Sequence, residues 1–258
     1  MKRYLLFLFL SFIFINLKAQ DSVMFNYWTG GTAFVLPKHR FELSILDESH
    51  YGLSDRFEIS SHLIKSLLMP NLKIKISWGS YNGFYFASKH GLFYPSPFMR
   101  TVAREGIGGL ISPEFNIPEM VSINNQIIVS CSPLKNTILS AYTGFNFALK
   151  SGELDERTTI DLPYIYPRLA VFYNRPEIVA GLDFRGNFTR CFGLKYNIDN
   201  FLFLNTSENY FLENTLVLTY TSKKQKTRIE LGSKLSYGKY LWGEQWHLLP
   251  MLSFAFKL

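Results

Sequence analysis

Apolar and polar residues alternate at every second position in many segments of the chain, most clearly in the last one. In residues 246–258 one alternate set is apolar throughout: Trp246, Leu248, Pro250, Leu252, Phe254, Phe256 and Leu258. The positions between them are mixed and include His247, Ser253 and Lys257. Successive side chains of a strand point to opposite faces, so this segment predicts a strand with one wholly apolar face. Its length of about 13 residues exceeds that of most strands and is enough to cross a bilayer when tilted.

Eleven more segments show the same period of two. They are residues 39–47, 55–63, 71–79, 81–90, 122–131, 137–149, 166–173, 177–185, 188–198, 214–222 and 227–237. Residues 48–54 are predicted to form a loop, Tyr81-Asn82-Gly83 to lead into the fourth strand, and Asp199-Asn200 to form a hairpin turn. The prediction is an all-β fold, an antiparallel transmembrane β-barrel of about 12 strands, with roughly 10 to 14 left open.

The apolar positions that end the chain carry a family resemblance. Leu252, Phe254, Phe256 and Leu258 resemble the closing strand of bacterial outer-membrane β-barrels. The resemblance implies that the barrel sits in outer-membrane lipid and that the barrel-assembly machinery reads these four residues as a membrane-insertion signal. Members of the family usually end in Phe, whereas this chain ends in Leu258.

The first residues have the pattern of a secretory signal. Lys2 and Arg3 precede an apolar run, and Ala19 provides a small residue at a suitable cleavage point. The run is shorter than the ~20 residues of a transmembrane helix, so we predict a cleaved signal peptide at residues 1–19 rather than an uncleaved anchor. The Ala19-Gln20 junction resembles signal cleavage sites of Bacteroidetes. Residues 20–38 then form an N-terminal segment, and residues 39–258 form the barrel.

Composition agrees with a chain that divides its surface between lipid and water. Aromatic residues make up 17% of the chain and charged residues 18%, below the ~25% typical of soluble proteins. Without the three basic residues of the signal, the net charge is about +4, too mild to predict nucleic-acid binding. The aromatic residues near predicted strand ends would form interfacial girdles: Trp78, Tyr81, Tyr237, Tyr240, Trp242 and Trp246. A soluble sandwich or lipocalin-like barrel is the weaker alternative, because it explains neither the uniform apolar faces nor the long terminal strand.

The polar faces of the strands predict a charged lumen. The residues expected to line it are Arg56, Glu58, Ser60, His62, Lys73, Lys75, Asp183, Arg185, Arg228, Glu230 and Lys234. Both signs of charge are present, so weak ion selectivity is expected.

One long loop, residues 91–119, interrupts the alternation. Ser96 with Pro97 predicts the start of a short helix, and Gly106 predicts its end. Because structureless loops of this length are commonly functional, we expect it to fold into or across one mouth as a plug. Phe98, Arg100, Arg104 and Glu105 would form the plug, and its charges would meet Lys73 or Glu58 in the lumen. A mobile surface loop is the alternative.

Little in the sequence points to catalysis. Ser60 and His62 share a strand face with Glu58, but positions two apart on a strand are too distant for a direct hydrogen bond, so a lipid hydrolase is the least favoured function. No His pair has metal-ligand spacing, and no cofactor is expected. Cys131 and Cys191 are expected to be small apolar strand residues, and whether they pair is left open.

These features together predict a pore and not an enzyme. A twelve-stranded barrel lies between eight-stranded barrels filled by side chains and sixteen-stranded open porins. The leading expectation is therefore a narrow or plugged pore for small solutes. The alternative is a non-transporting barrel that serves as a structural or interaction platform. The sequence leaves the solute and the oligomeric state open.

Overall fold

Twelve antiparallel strands close into a single barrel in the computed structural model, which describes residues 28–158, 170–174, 176–204, 210–240 and 243–258. The strands are β1 (Phe41–Ser44), β2 (Ser49–Gly52), β3 (Phe57–Ser61), β4 (Asn71–Tyr81), β5 (Phe84–Phe93), β6 (Met120–Cys131), β7 (Thr137–Lys150), β8 (Glu177–Asn187), β9 (Phe192–Phe203), β10 (Tyr210–Thr221), β11 (Thr227–Tyr240) and β12 (Gly243–Lys257). Three short helices lie in the connections: α1 (Leu63–Ser66), α2 (Ser96–Val102) and α3 (Val171–Asn174). Each strand pairs with its neighbours in sequence, and β1 closes the barrel against β12 through Glu42 opposite Lys257.

The predicted fold class and strand number are confirmed, although three predicted elements are wrong. Residues 48–54, predicted as a loop, contain β2, which pairs with both β1 and β3. Of the strand predicted at residues 166–173, the described part begins at Ala170, in a turn that leads into α3. Asp199 and Asn200, predicted as a turn, lie inside β9. Each error comes from ambiguous short segments, where a period of two cannot distinguish strand from turn.

The connections at the two ends of the barrel differ in length. Five short connections join strands at the end where β1 begins and β12 finishes, which we call the turn end: residues 53–56, 82–83, 132–136, 188–191 and 222–226. The three longest connections, residues 62–70, 94–119 and 151–176, are at the opposite end, which we call the loop end, together with the shorter connections 45–48, 204–209 and 241–242. Asn82 and Gly83 both have positive φ, at 48° and 82°, as a two-residue hairpin turn requires.

The strands present an apolar outer face and a polar inner face. In β12, Trp246 and Leu248 are 67% and 60% exposed on the outside, whereas Ser253 and Ala255 are buried inside. Trp78, Tyr81 and Tyr237 also lie on the outer face near strand ends, as predicted for girdle residues. Tyr240 does not, because its ring packs inside against Phe211 and His247. Trp242 lies outside the described residues.

In the part of the chain that the structure describes, no helix is long and apolar enough to cross a bilayer. Cys131 and Cys191 are free thiols. The signal peptide predicted at residues 1–19 lies outside the described residues.

Candidate functional site in the barrel lumen

Charged side chains from strands all around the barrel converge on its interior. Glu58, Asp183 and Lys75 are only 1%, 2% and 3% exposed, although each belongs to a strand. The described ion pairs within the lumen join Lys75 to Glu58, Lys73 and Lys89 to Glu48, Arg185 to Asp183, Lys195 to Asp47, Arg228 to Glu230, and Lys234 to Glu213. Buried charges need such partners, since an isolated charge in an apolar interior is very costly.

A stretch of the chain itself lies within this charged interior. Residues 28–36, which we call the lumen segment, precede β1 and contact the inner faces of β3, β4, β6 and β8. The segment begins with buried Trp28 and leaves the lumen before His39, whose N–H donates to Gly52 O on β2. It therefore crosses the interior at the turn end, where the first strand starts.

Glu58 on β3 is the main anchor of the lumen segment. Its Oε2 accepts hydrogen bonds of 2.8 Å from the Thr29 hydroxyl and from the Leu36 N–H. Its Oε1 lies 2.8 Å from Lys75 Nζ and 3.0 Å from His50 Nδ1. The buried Glu58 carboxylate thus connects residues at both ends of the segment to strands β2, β3 and β4 of the wall.

Lys75 on β4 holds the same segment through its carbonyl groups. The ammonium donates to Phe34 O at 2.7 Å, to Thr29 O at 3.0 Å and to Thr32 O at 3.4 Å. The three carbonyls point towards the Lys75 ammonium because the segment forms a turn. In this turn the Thr32 N–H and the Thr32 hydroxyl both donate to Thr29 O. A cation that collects several carbonyl oxygens stabilises this turn of the backbone.

The start of the segment is held by the far wall. Arg185 on β8 donates to Trp28 O at 3.0 Å while Asp183 fixes the guanidinium at 2.6 Å. Two cations lie close to the Trp28 ring, with Arg228 Cζ at 4.3 Å and Lys257 Nζ at 4.4 Å from its centroid. Cations close to an indole face are attracted by its quadrupole.

A cavity of about 240 Å³ lies beside the lumen segment. Gly30 and Gly31 form part of its wall, and the ionisable residues around it are Glu42, Asp47, Glu48, His50, Lys89, Asp183, Arg185, Lys195, Arg228 and Lys234. A neighbouring cavity of about 170 Å³ shares Gly31, Glu48, Lys89 and Asn197 with it and reaches Tyr142 and Asp199. The interior thus contains a polar space lined by residues of both signs of charge.

A hydrophobic cluster lies at the loop end of the barrel. Met99 and Val102 of α2 pack with Val171 and Phe172 of α3 and with Met120 at the start of β6. The Ser96 hydroxyl joins the helix to this strand, donating to Pro118 O and accepting the Met120 N–H. The two longest connections therefore pack on each other and on an inward-facing residue of the wall.

An exposed ion pair completes the packing of the long loop. Glu119 accepts a hydrogen bond from the Tyr94 hydroxyl and pairs with Arg100, which also donates to Ile117 O. The Tyr94 hydrogen bond, followed by that of Arg100, lowers the pKa of Glu119 from its usual 4.5, and the same bond raises the pKa of Tyr94.

The lowered pKa predicts a pH-dependent loop. A carboxyl group whose pKa is depressed on folding stabilises the structure above its unfolded pKa and loses this effect as the pH falls through its folded value. Hydrogen exchange of α2, corrected for intrinsic rates, is therefore expected to be steady from pH 7 to 5 and to rise once the pH falls below 4.5. Glu119→Gln should remove this dependence; an unchanged pH profile in that variant would assign it to another group.

The structure places nine of the eleven predicted lumen residues at inward-facing positions. They are Glu58, Ser60, Lys73, Lys75, Asp183, Arg185, Arg228, Glu230 and Lys234. Arg56 is instead exposed in a turn, because β3 begins only at Phe57. His62 caps α1, where its Nδ1 accepts the Lys65 N–H, while Ser60 donates to Glu48. Ser60 and His62 thus form hydrogen bonds with different partners and not with each other, which gives no support to a catalytic Ser–His pair.

The charged residues predicted to plug the lumen have other surroundings. Arg100 pairs with Glu119, Arg104 donates to Ile107 O, and Glu105 is exposed. Lys73, one of the expected partners of these residues, pairs with Glu48. Glu58, the other expected partner, accepts hydrogen bonds from the lumen segment. The cause is the orientation of α2, whose apolar side faces the cluster at the loop end, where Phe98 also packs.

The main feature that the sequence reasoning missed is the lumen segment. The sequence analysis assigned residues 20–38 only to an N-terminal segment that precedes the barrel. The available signal was local: residues 28–36 carry no charge and contain the Gly30-Gly31 pair immediately before the first strand. That pair permits a close approach, since a Cβ on Gly31 would lie 2.6 Å from Arg185 Nη2 and its φ is +74°.

Among the described residues, no group of His, Cys, Asp or Glu is arranged to hold a metal ion.

Comparison with known proteins finds weak structural similarity to solved barrels at low sequence identity. The chain matches no family model and no curated protein sequence. Among solved structures it is similar to OccK1 (OpdK) of Pseudomonas aeruginosa, with a TM-score of 0.38 and 10% identity, covering 82% of this chain and 51% of that one. It is also similar to the outer membrane channel DcaP of Acinetobacter baumannii, with a TM-score of 0.39 and 8% identity, covering 81% and 60%. The chain spans about half the length of OccK1, and likeness at this level transfers no substrate or mechanism.

Proposed function

We propose that this protein is a bacterial outer-membrane β-barrel that forms a narrow, plugged pore for small solutes. The observation that carries the proposal is the inverted distribution of polarity. Leu182, Leu216 and Leu231 are 50%, 48% and 62% exposed on the outside, while Glu58, Lys75 and Asp183 are buried inside. A barrel in water would bury its apolar face, whereas a barrel in lipid turns that face outward and surrounds a polar interior.

The lengths of the connections support the same placement and suggest its orientation. Outer-membrane barrels have short periplasmic turns and longer extracellular loops. On this basis the turn end, with the lumen segment and the end of β12, faces the periplasm, and the loop end faces outward. Girdle residues Trp78 and Tyr81 lie at the turn end, and Trp246 lies towards the loop end. The proposal includes insertion of the chain by the barrel-assembly machinery and an origin in a Bacteroidetes-type bacterium.

Two constrictions would restrict passage. The lumen segment lies across the turn end, and the packed loops that contain α2 and α3 narrow the loop end. Between them, cavities lined by Glu48, Lys89, Lys195 and Asn197 would admit small polar solutes with little preference for the sign of charge. These two obstructions also favour the second candidate function, a closed barrel that serves as an interaction platform.

Planar-bilayer recording of the purified full-length barrel tests the pore directly. We expect brief, small openings, because the lumen segment must move before ions can pass. Steady current in the wild type would show that the lumen is not plugged. An absence of current from both the wild type and Glu58→Ala, a variant that lacks the main anchor of the lumen segment, would favour the platform. Liposome swelling with sugars of increasing size would give the size limit for solutes.

A further inference from the structure

The wall holds the lumen segment almost entirely through the main chain of the segment. Seven described hydrogen bonds join the two, and six of them use a backbone N–H or carbonyl of the segment. Besides the bonds from Glu58, Lys75 and Arg185, the Ser130 hydroxyl accepts the Ala33 N–H at 2.8 Å. Contacts of this kind do not depend on which side chains the bound peptide carries.

At a few positions the wall also restricts which side chain the lumen segment can carry. The centre of the segment must be small, because Gly31 lies against Arg185 and a Cβ on Gly30 would lie 3.2 Å from His50 Nε2. Aromatic rings occupy the two flanks: Trp28 lies close to Arg228 and Lys257, and the Phe34 and Tyr85 ring centroids are 4.7 Å apart. The wall therefore presents donors and acceptors for a turned backbone, space for small central residues, and places for flanking rings.

We propose that these wall residues form a peptide-binding site, occupied by the lumen segment, and that short peptides with small central residues are its ligands. The wall groups are Glu58, Lys75, Ser130 and Arg185, with Arg228, Lys257 and Tyr85 at the flanks. Delivery of external peptides to the site rests on the proposed pore function, although binding itself does not. The resident segment excludes them by competition, because it is joined to β1 and has an effective concentration on the order of millimolar.

A change in the segment that leaves the wall intact exposes the site. Gly31→Val in the full-length chain places a branched side chain against Arg185 at a backbone conformation that valine rarely adopts, so the segment is expected to leave its position. The ligand probe is a capped, fluorescein-labelled synthetic peptide with the sequence of residues 28–36. Heat-modifiable migration on a gel verifies that each variant barrel is folded.

Fluorescence anisotropy in detergent micelles measures the binding. The Gly31→Val barrel is expected to bind the peptide at least ten times more tightly than the wild type does. Adding Lys75→Met to this barrel should weaken binding by about tenfold or more, because three carbonyls lose a charged donor. A peptide with Val at the position of Gly31 should not bind, and an unrelated peptide with small central residues and aromatic flanks should.

The outcomes separate the binding site from the pore. Failure of the wild-type peptide to bind a folded Gly31→Val barrel overturns the peptide site, even if that barrel conducts ions. Binding without any current in bilayers supports the peptide site and counts against the pore. If only the wild-type sequence binds, the site is dedicated to its own segment, and the assignment of short peptides as ligands is wrong.

Discussion

Glu58→Ala is expected to convert brief openings of the barrel into sustained ionic current and to lower its stability. The carboxylate is buried, accepts two hydrogen bonds from the lumen segment, and balances the charge of Lys75. Its removal leaves Lys75 as a buried cation without this partner, a change that typically costs about 3–5 kcal/mol. Both ends of the segment lose an anchor, so it should leave the lumen for much of the time.

The measurements are single-channel recording and urea unfolding in lipid vesicles. Glu213→Ala is the matched control, because Glu213 is also a buried strand glutamate and pairs with Lys234 at 2.7 Å. This control should lower the unfolding midpoint and leave the conductance near the wild-type value, since the described hydrogen bonds of the lumen segment involve neither Glu213 nor Lys234. Wild-type conductance in Glu58→Ala would show that this carboxylate does not retain the plug.

Leu182→Arg is expected to destabilise the barrel by about 2–4 kcal/mol in lipid vesicles, the cost of arginine at the bilayer midplane. Leu182 is the middle residue of β8, faces outward beside Ala141 and Ile198, and is 50% exposed. In water, arginine at such an exposed site would be nearly neutral, so the sign and size of the change report the surrounding medium.

Ile107→Arg is the control for that prediction. Ile107 is fully exposed in the long loop between α2 and β6, outside the strands, and its replacement should shift the unfolding midpoint little. Equal, small effects of the two variants would mean that the outer face of β8 meets water, and the outer-membrane proposal would then be abandoned.

The candidate site could be predicted from sequence only in part. Wall residues such as Glu58, Lys75, Asp183 and Arg185 were identifiable because a strand assigns its side chains to two faces by simple alternation. Glu48 was not identified, because it lies in the connection between β1 and β2, where alternation assigns no face; in the structure it pairs with Lys73 and Lys89. Strands of four residues, such as β2, are too short for the period of two to be distinguished from chance.

The amino-acid sequence by itself determined the class of the fold, the approximate number of strands, and the face to which most wall residues belong. All three follow from a local repeat that every strand carries. Tertiary structure alone decided what fills the lumen. Residues 28–36 carry no strong local signal, and their position depends on partners such as Ser130 and Arg185, about 100 and 157 residues away along the chain. Such contacts arise only when the closed barrel brings distant strands to a common interior, which no periodicity within one segment can indicate.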